Sequence, residues 1–251
     1  MTDDIHFSLL SDTHLNLWKM TPDQISSIFP GDDTTLVLAG DIGDPDEASL
    51  YTAVNIARQR YKRVLYVPGN HEFYLREPKT KKTPASVLAW FQKLDDQWSN
   101  FHFFYRRNEV FDGIRVLGAT GWTSAPDNSE WSNLIREEGR KDRDFLEQAI
   151  NTSKEPTIVV THYPSTLQVL QAEYKNKLTQ FNYAQDLERL YRSPVKVWAF
   201  GHIHQKHDFS IPYSSLDGDG EVRILSNPYG YPKDGITASL PLPFGTARYL
   251  N

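Results

Sequence analysis

Five short stretches of this 251-residue chain carry side chains of the kind that bind metal ions. They are Asp12-Thr13-His14, Gly40-Asp41-Ile42-Gly43-Asp44, Gly69-Asn70-His71-Glu72, Thr161-His162 and Gly201-His202-Ile203-His204. In order they offer Asp12, His14, Asp41, Asn70, His162, His202 and His204 as ligands, a mixture of nitrogen and oxygen donors without sulfur. Such a set suits Mn, Fe, Zn, Co or Ni better than Ca or Mg, with Mn the first choice in vitro. Asp41 follows a strand, where a carboxylate can bridge two ions. Two ions ~3.5–4 Å apart hold a bridging hydroxide and clamp a phosphate for in-line attack. His71, beside Asn70, is then free to protonate the leaving oxygen, a role that typically contributes ~10²–10⁴-fold.

Each stretch sits just after an apolar, β-branched run: 7–10, 35–39, 64–67, 157–160 and 195–200. Strand ends that share one edge of a sheet aim their loops at a common point. Alternate residues on a strand face the same side, so Asp12 pairs with His14 and His202 with His204. Gly40, Gly69 and Gly201 read as residues that let the backbone lie close to the metal loops.

The spacing of the first hundred residues alternates strand and helix, which implies a parallel sheet with right-handed crossovers. A helix over 22–29 starts with Thr21 at the N-cap, Pro22 in the first turn and Gln24 closing a capping box. A second runs from about Pro45 to Arg60 with Asp44 as its N-cap. A third, over 84–98, is capped by Thr83. Short strands follow at 101–105, 109–111 and 114–118, the last two joined by a tight Asp112-Gly113 turn. Helices are expected over 131–150 and near 183–191. Strands at 208–211 and 221–225 close the pattern, and antiparallel pairing is expected for the second sheet. The stretch 76–84 reads as the most mobile loop, and the long interval from Asn70 to His162 leaves room for a partial lid.

Composition narrows the class. The chain has 39% hydrophobic and 13% aromatic residues, enough for a substantial core within one domain spanning 1–251. With no cysteine, a disulfide framework and a thiolate metal site are both excluded. The net charge of −5 weighs against a protein devoted to non-specific nucleic-acid binding. No run approaches the ~18 apolar residues of a membrane span, and the start of the chain lacks the apolar core of a secretory signal. The expectation is a soluble, cytoplasmic protein without a membrane partner; the sequence carries no signal for an oligomeric state.

Together the five stretches resemble the Asp-x-His, Gly-Asp-x-x-Asp, Gly-Asn-His-Asp/Glu, His and Gly-His-x-His motifs of the calcineurin-like metallophosphoesterases. The resemblance spans 12–204 in the right order. It implies an α/β fold, a two-sheet αββα sandwich with a dinuclear metal site at the strand C-terminal ends. It implies one ion held by Asp12, His14, Asp41 and His204. A second would be held by Asp41, Asn70, His162 and His202, with Asp41 bridging and His71 as general acid. Pro45-Asp46-Glu47 stands where the serine/threonine protein phosphatases carry Asp-Arg-Gly, so that branch is disfavoured. The tail Ser226-Asn227-Pro228-Tyr229-Gly230-Tyr231 instead resembles the Asn-Pro-x-Gly-Tyr segment of small bacterial and phage phosphohydrolases.

The expected activity is hydrolysis of a small phosphomonoester or phosphodiester. A nuclease of the same superfamily is the first rival; Arg76, Lys79, Lys81 and Lys82 count for it if they overhang the metals, whereas most such runs are solvated loops. A non-catalytic protein-binding scaffold is the second rival, disfavoured because all seven ligand types are present. Trp18, Phe73, Tyr74, Trp122 and Tyr163 lie near strand ends or motifs and are candidates to wall a substrate pocket, or else ordinary packing. His6, His102 and His207 match no motif and read as structural or surface residues.

Overall fold

The computed structural model describes residues 6–31, 34–74, 82–123, 129–175, 177–215, 218–234 and 241–245. Two sheets face each other between helical layers, as the resemblance implies. The first holds β1 (His6–Leu10), β2 (Thr35–Ala39), β3 (Arg63–Val67) and β4 (Phe101–Phe103) in parallel, with β11 (Leu242–Gly245) antiparallel on the β1 edge. The second runs β5 (Arg107–Phe111), β6 (Ile114–Ala119), β7 (Thr157–Thr161), β8 (Val195–Phe200), β10 (Gly218–Ser226) and β9 (His207–Ser215) in spatial order.

Strands covered on both faces read as apolar runs because alternate residues enter different layers. Phe7, Leu9, Val37, Ala39, Leu65 and Val67 meet Val116, Ile158, Val160, Val197, Ala199 and Leu225 between the sheets. Leu10, Leu36, Leu38, Val64 and Tyr66 point the other way. They pack on α1 (Leu15–Trp18), α2 (Pro22–Ile28), α3 (Ala48–Arg60) and α4 (Pro84–Gln97) through Leu15, Ile25, Leu50, Val54, Val87 and Phe91. Beyond the second sheet, Val159, Trp198 and Phe200 pack on Leu146 and Ile150 of α5 (Glu130–Thr152). Burying each such large side chain contributes roughly 1.5–3 kcal/mol.

Several local signals act as read. Thr21 with Gln24, and Thr83 with Ser86, form capping boxes. Asp112 and Gly113 both take positive φ, 52° and 84°, in the turn between β5 and β6, as a type I′ hairpin requires. Other expectations change. The second sheet is parallel at its centre (β6, β7, β8, β10), with antiparallel pairing only at the β5 and β9 edges. Residues 183–191 form no α-helix; single 3-10 turns at Leu178–Asn182 and Glu188–Leu190 take their place. Helix α3 begins at Ala48, and its N-cap Glu47 makes no side-chain cap. Asp44 instead accepts from the Asp46 amide (3.0 Å) and pairs with Lys82 (2.9 Å).

Lys82 is thus buried rather than solvated, with 2% of its side chain exposed. Arg76, Lys79, Lys81 and most of the expected mobile loop lie outside the described residues. The interval from Asn70 to His162 is occupied by α4, β4, β5, β6 and α5, which are layers of the sandwich; among the described residues it forms no separate lid. Between β4 and β5 the chain passes from one sheet to the other at Arg106, whose φ is +52°. Its guanidinium reaches Glu138 and Asp142 of α5, each at 2.8 Å, and Asp142 accepts from the Gly121 amide at 2.8 Å. Among the described residues no helix is long and apolar enough to cross a membrane.

Candidate metal centre

Parallel strands put the C-terminal ends of β1, β2 and β3 on one edge, and those of β7, β8 and β10 on the facing edge. The loops that follow converge there. Strand alternation does not place Asp12 and His14, or His202 and His204, as expected. β1 has ended at Leu10 and β8 at Phe200, and all four residues have left-handed backbone: φ 54°, 43°, 73° and 51°. Asp41 shares it at 56°. Asp and His tolerate this region better than most residues, and a run of such conformations marks a strained site held by its surroundings.

Those surroundings are specific. A Cβ on Gly40 would lie 2.5 Å from His162 Nδ1 and 2.6 Å from the Gly69 amide, and one on Gly201 would lie 2.6 Å from Asp12 Oδ2. The glycines let the loop after β2 touch those after β3 and β7, and the loop after β8 touch that after β1. Glu72, fully buried, ties the loop after β2 to its own loop after β3. Its carboxylate accepts from the amides of Asp41 (3.0 Å), Ile42 (2.8 Å) and Gly69 (2.7 Å) and from the Tyr66 hydroxyl (2.8 Å). Glu72 closes the Gly69-Asn70-His71-Glu72 stretch, where its task was not legible from the sequence. Its signal was a carboxylate one position beyond His71.

Ligand atoms gather in groups within 4.8 Å: Asp12, His14 and His204; His14, Asp41 and His71; Asp41, His162 and His202. The first and third correspond to the two nests implied by the resemblance. His204 Nε2 lies 3.5 Å from Asp12 Oδ1 and 3.0 Å from His14 Nε2. Asn70 Oδ1 lies 2.9 Å from His162 Nε2 and 3.1 Å from His202 Nδ1. Asp41 Oδ2 stands between the nests, 3.9 Å from His14 and 3.3 Å from His162, while Asp41 Oδ1 accepts the His71 amide at 2.7 Å. All seven expected ligand residues are therefore brought together.

The donor set fits divalent ions. Its members are carboxylates, an amide oxygen and imidazoles, mostly buried, with His14 Nδ1 making no hydrogen bond among the described residues. Without an ion, protons must serve as the counter-charge. Burial opposes charge on His162, but nearby Asp41 outweighs it and pushes the imidazole up to about 9. Burial would raise Asp41; facing His162, its carboxyl instead falls well below the usual carboxylate range. Burial takes His14 down to about 4, and burial with the charge of His162 takes His202 down to about 3. Burial and the charge of Asp41 push Glu72 up to about 7. Divalent ions would replace the protons held at this centre, since metal ligands bind deprotonated.

A groove of about 560 Å³ opens from the centre. His71 lines it, with Nε2 3.9 Å from Asp41 Oδ2 and the side chain 21% exposed. Its outer walls are Val169, Leu170, Tyr174, Tyr183 and Ile203 on one side and Tyr231 and Lys233 on the other. The five aromatics expected in this role are placed differently. Phe73 and Trp122 are buried against each other, rings 5.6 Å apart, and Trp18 packs on Tyr229. Tyr163 is buried 4.1 Å from the His202 ring, and Tyr74 lies 5.0 Å from that of His71. None of the five lines the groove. The groove aromatics come from irregular segments with no periodic pattern. His102 and His207 belong to β4 and β9 and to none of the three groups; His6 is exposed on β1.

Comparison with known proteins agrees with this geometry. An uncharacterized protein, L509, of Acanthamoeba polyphaga mimivirus is 24% identical over 254 residues, covering 86% of this chain and 87% of its own length. The structure of a phosphopantetheinyl hydrolase from Mycobacterium tuberculosis superposes with a TM-score of 0.69 at 17% identity, covering 96% of this chain and 97% of that one. That of a dimetal phosphatase from Danio rerio gives 0.50 at 15% identity, covering 88% and 86%. These likenesses concern the fold. The sequence pattern of one family, described as calcineurin-like phosphoesterase, matches residues 5–206 and so runs through every strand-end stretch that supplies the centre. On that match the chain belongs to the calcineurin-like phosphoesterase family, and with it to the phosphohydrolases.

Proposed function

We propose that the chain is a dinuclear metal-dependent hydrolase of small phosphomonoesters or phosphodiesters. The observation that carries this reading is Asp41, whose one carboxylate oxygen faces both nests. Asp12, His14 and His204 would hold one ion, and Asn70, His162 and His202 the other, with Asp41 shared. When bound, two such ions supply Lewis-acid polarisation of a phosphate and an activated water. The chain itself fixes the ligands through Glu72, admits the ester through the groove, and offers His71 as the proton donor to the leaving oxygen.

The groove favours a small ester over a polynucleotide. Among the described residues its walls are neutral apart from the centre and Lys233, and the chain is net acidic. A polynucleotide needs a row of cations to follow its phosphates. The protein phosphatase branch is disfavoured by Pro45-Asp46-Glu47, which offers no arginine to grip a phosphate.

The test is reconstitution of chelated protein with Mn, Fe, Zn, Co or Ni, followed by metal analysis and assay. The panel comprises a mono-aryl phosphate, a bis-aryl phosphate, 2′,3′- and 3′,5′-cyclic nucleotides, phosphopantetheine and single-stranded DNA. The expected outcome is two ions per chain and turnover of at least one small ester. Failure to take up metal, or uptake without turnover of any ester, overturns the reading. Cleavage of DNA alone makes the nuclease the better one.

A further inference from the structure

We propose that Tyr231 is a second catalytic residue, passing the proton of His71 to the leaving oxygen through its hydroxyl. The inference rests on the phosphohydrolase reading above.

The Tyr231 hydroxyl lies 3.1 Å from His71 Nε2. That same nitrogen lies 3.9 Å from Asp41 Oδ2, so it is the one turned toward the centre. A ring nitrogen carries a single proton. A leaving oxygen must therefore either displace the hydroxyl from Nε2 or receive the proton through it.

Displacement is opposed on every side. The Tyr231 ring sits 4.3 Å from the rings of both His14 and His204, so it is packed against two residues of one nest. Lys233 lies over the ring at 5.4 Å. The backbone leading to it is pinned to the first metal loop: Tyr229 N donates to Ser11 O and Gly230 N to Asp12 O, each at 2.9 Å. Trp18 donates to Gly230 O at 3.0 Å, and Asn227 to Leu9 O at 2.8 Å. Gly230, with φ +88°, makes the turn that sends Tyr231 back over the centre. A phenol held this firmly, lining the groove beside His71, stays in place when an ester enters.

The step balances without an added reagent. The oxygen of a hydroxide ion forms a bond to phosphorus, and the bond from phosphorus to the leaving oxygen breaks with its electron pair on that oxygen. The phenol O–H breaks and its proton goes to the leaving oxygen, giving an alcohol. The Nε2–H bond of the His71 imidazolium breaks and restores the phenol. The imidazole ends neutral and Tyr231 unchanged.

Tyr231→Phe keeps the ring and removes only the relay, and is compared with His71→Ala and the double variant in metal-reconstituted protein. Each single variant is expected to hold wild-type metal content and to lose roughly 10²-fold or more in kcat on an alkyl phosphate. The loss should be smaller on 4-nitrophenyl phosphate, whose leaving group departs without a proton. Groups acting in series are not additive, so the double variant should fall no lower than the worse single one. In ¹⁵N spectra of metal-free protein, Tyr231→Phe should move the His71 Nε2 resonance and leave His102 in place. An inactive wild type sinks the parent reading and the inference with it. If wild type is active and His71→Ala shows the leaving-group effect, three results overturn the relay alone: a Tyr231→Phe loss equal on both esters, a double loss equal to the product of the singles, or an unmoved His71 resonance.

Discussion

The metal centre and the groove that leads to it are built in opposite ways. Every ligand of the centre stands at a strand end. Five have left-handed backbone, and the loops are stitched together by buried hydrogen bonds to Glu72, Asp12 and Asp41. The outer groove comes from 3-10 turns, the segment around Tyr174 and the tail after β10. The rings of Tyr174 and Tyr183 meet at a tilt, centroids 4.9 Å apart, with about a third of each residue exposed. One region would tolerate no change of geometry, since the two ions proposed for it demand fixed distances. The other meets variable organic groups and needs only a surface of suitable shape. The two touch where Asn182 O accepts from His202 Nε2 at 3.2 Å.

The largest expected effect comes from breaking the centre at its shared point. Asp41→Asn should lose both ions, because a neutral amide cannot screen two dications, and hydrolysis should be abolished. Elemental analysis checks this. A variant that keeps two ions and near-full activity shows that Asp41 is not shared.

Next is Glu72→Gln, which sharpens the contrast because Glu72 touches no ligand side chain in the proposed set. One amide group would turn N–H toward amides that now donate to a carboxylate. Stability should fall by roughly 1–3 kcal/mol, and metal affinity by about 10–100-fold, the usual scale for partners that orient ligands. Denaturant melts of metal-free protein and metal titrations measure the two separately. Wild-type affinity would reduce Glu72 to a purely structural part.

The smallest effect belongs to the groove. Tyr174→Ala and Tyr183→Ala each remove aromatic contact worth about 0.5–1.5 kcal/mol. KM for an aryl ester should rise by about 2- to 10-fold at this scale, with kcat and metal content held. A fall in kcat for Tyr183→Ala alone would show that its segment also holds His202, and would blur the division between centre and groove.

Much of the centre was legible in the sequence because metal chemistry accepts few residue types. Asp, His and Asn recurring just after apolar runs have little other use in that pattern. Thr21 and Thr83 were legible as caps, and Asp112-Gly113 as a turn, because each acts within four residues. The parallel heart of the second sheet was not, since an apolar run does not declare its partner strand. Asp44 looked like a cap until the fold set Lys82 against it from 38 positions away.

The sequence by itself thus determined the donor set, the strands that carry it and the local caps, all matters of side-chain chemistry and short-range geometry. Only the tertiary structure decided how the donors meet and what surrounds them. Left-handed turns bring His14 and His204 face to face across 190 residues, and the tail sets Tyr231 on His71 across 160. Those contacts depend on where two sheets end in space, which sums the packing of every layer and is written in no single stretch of chain.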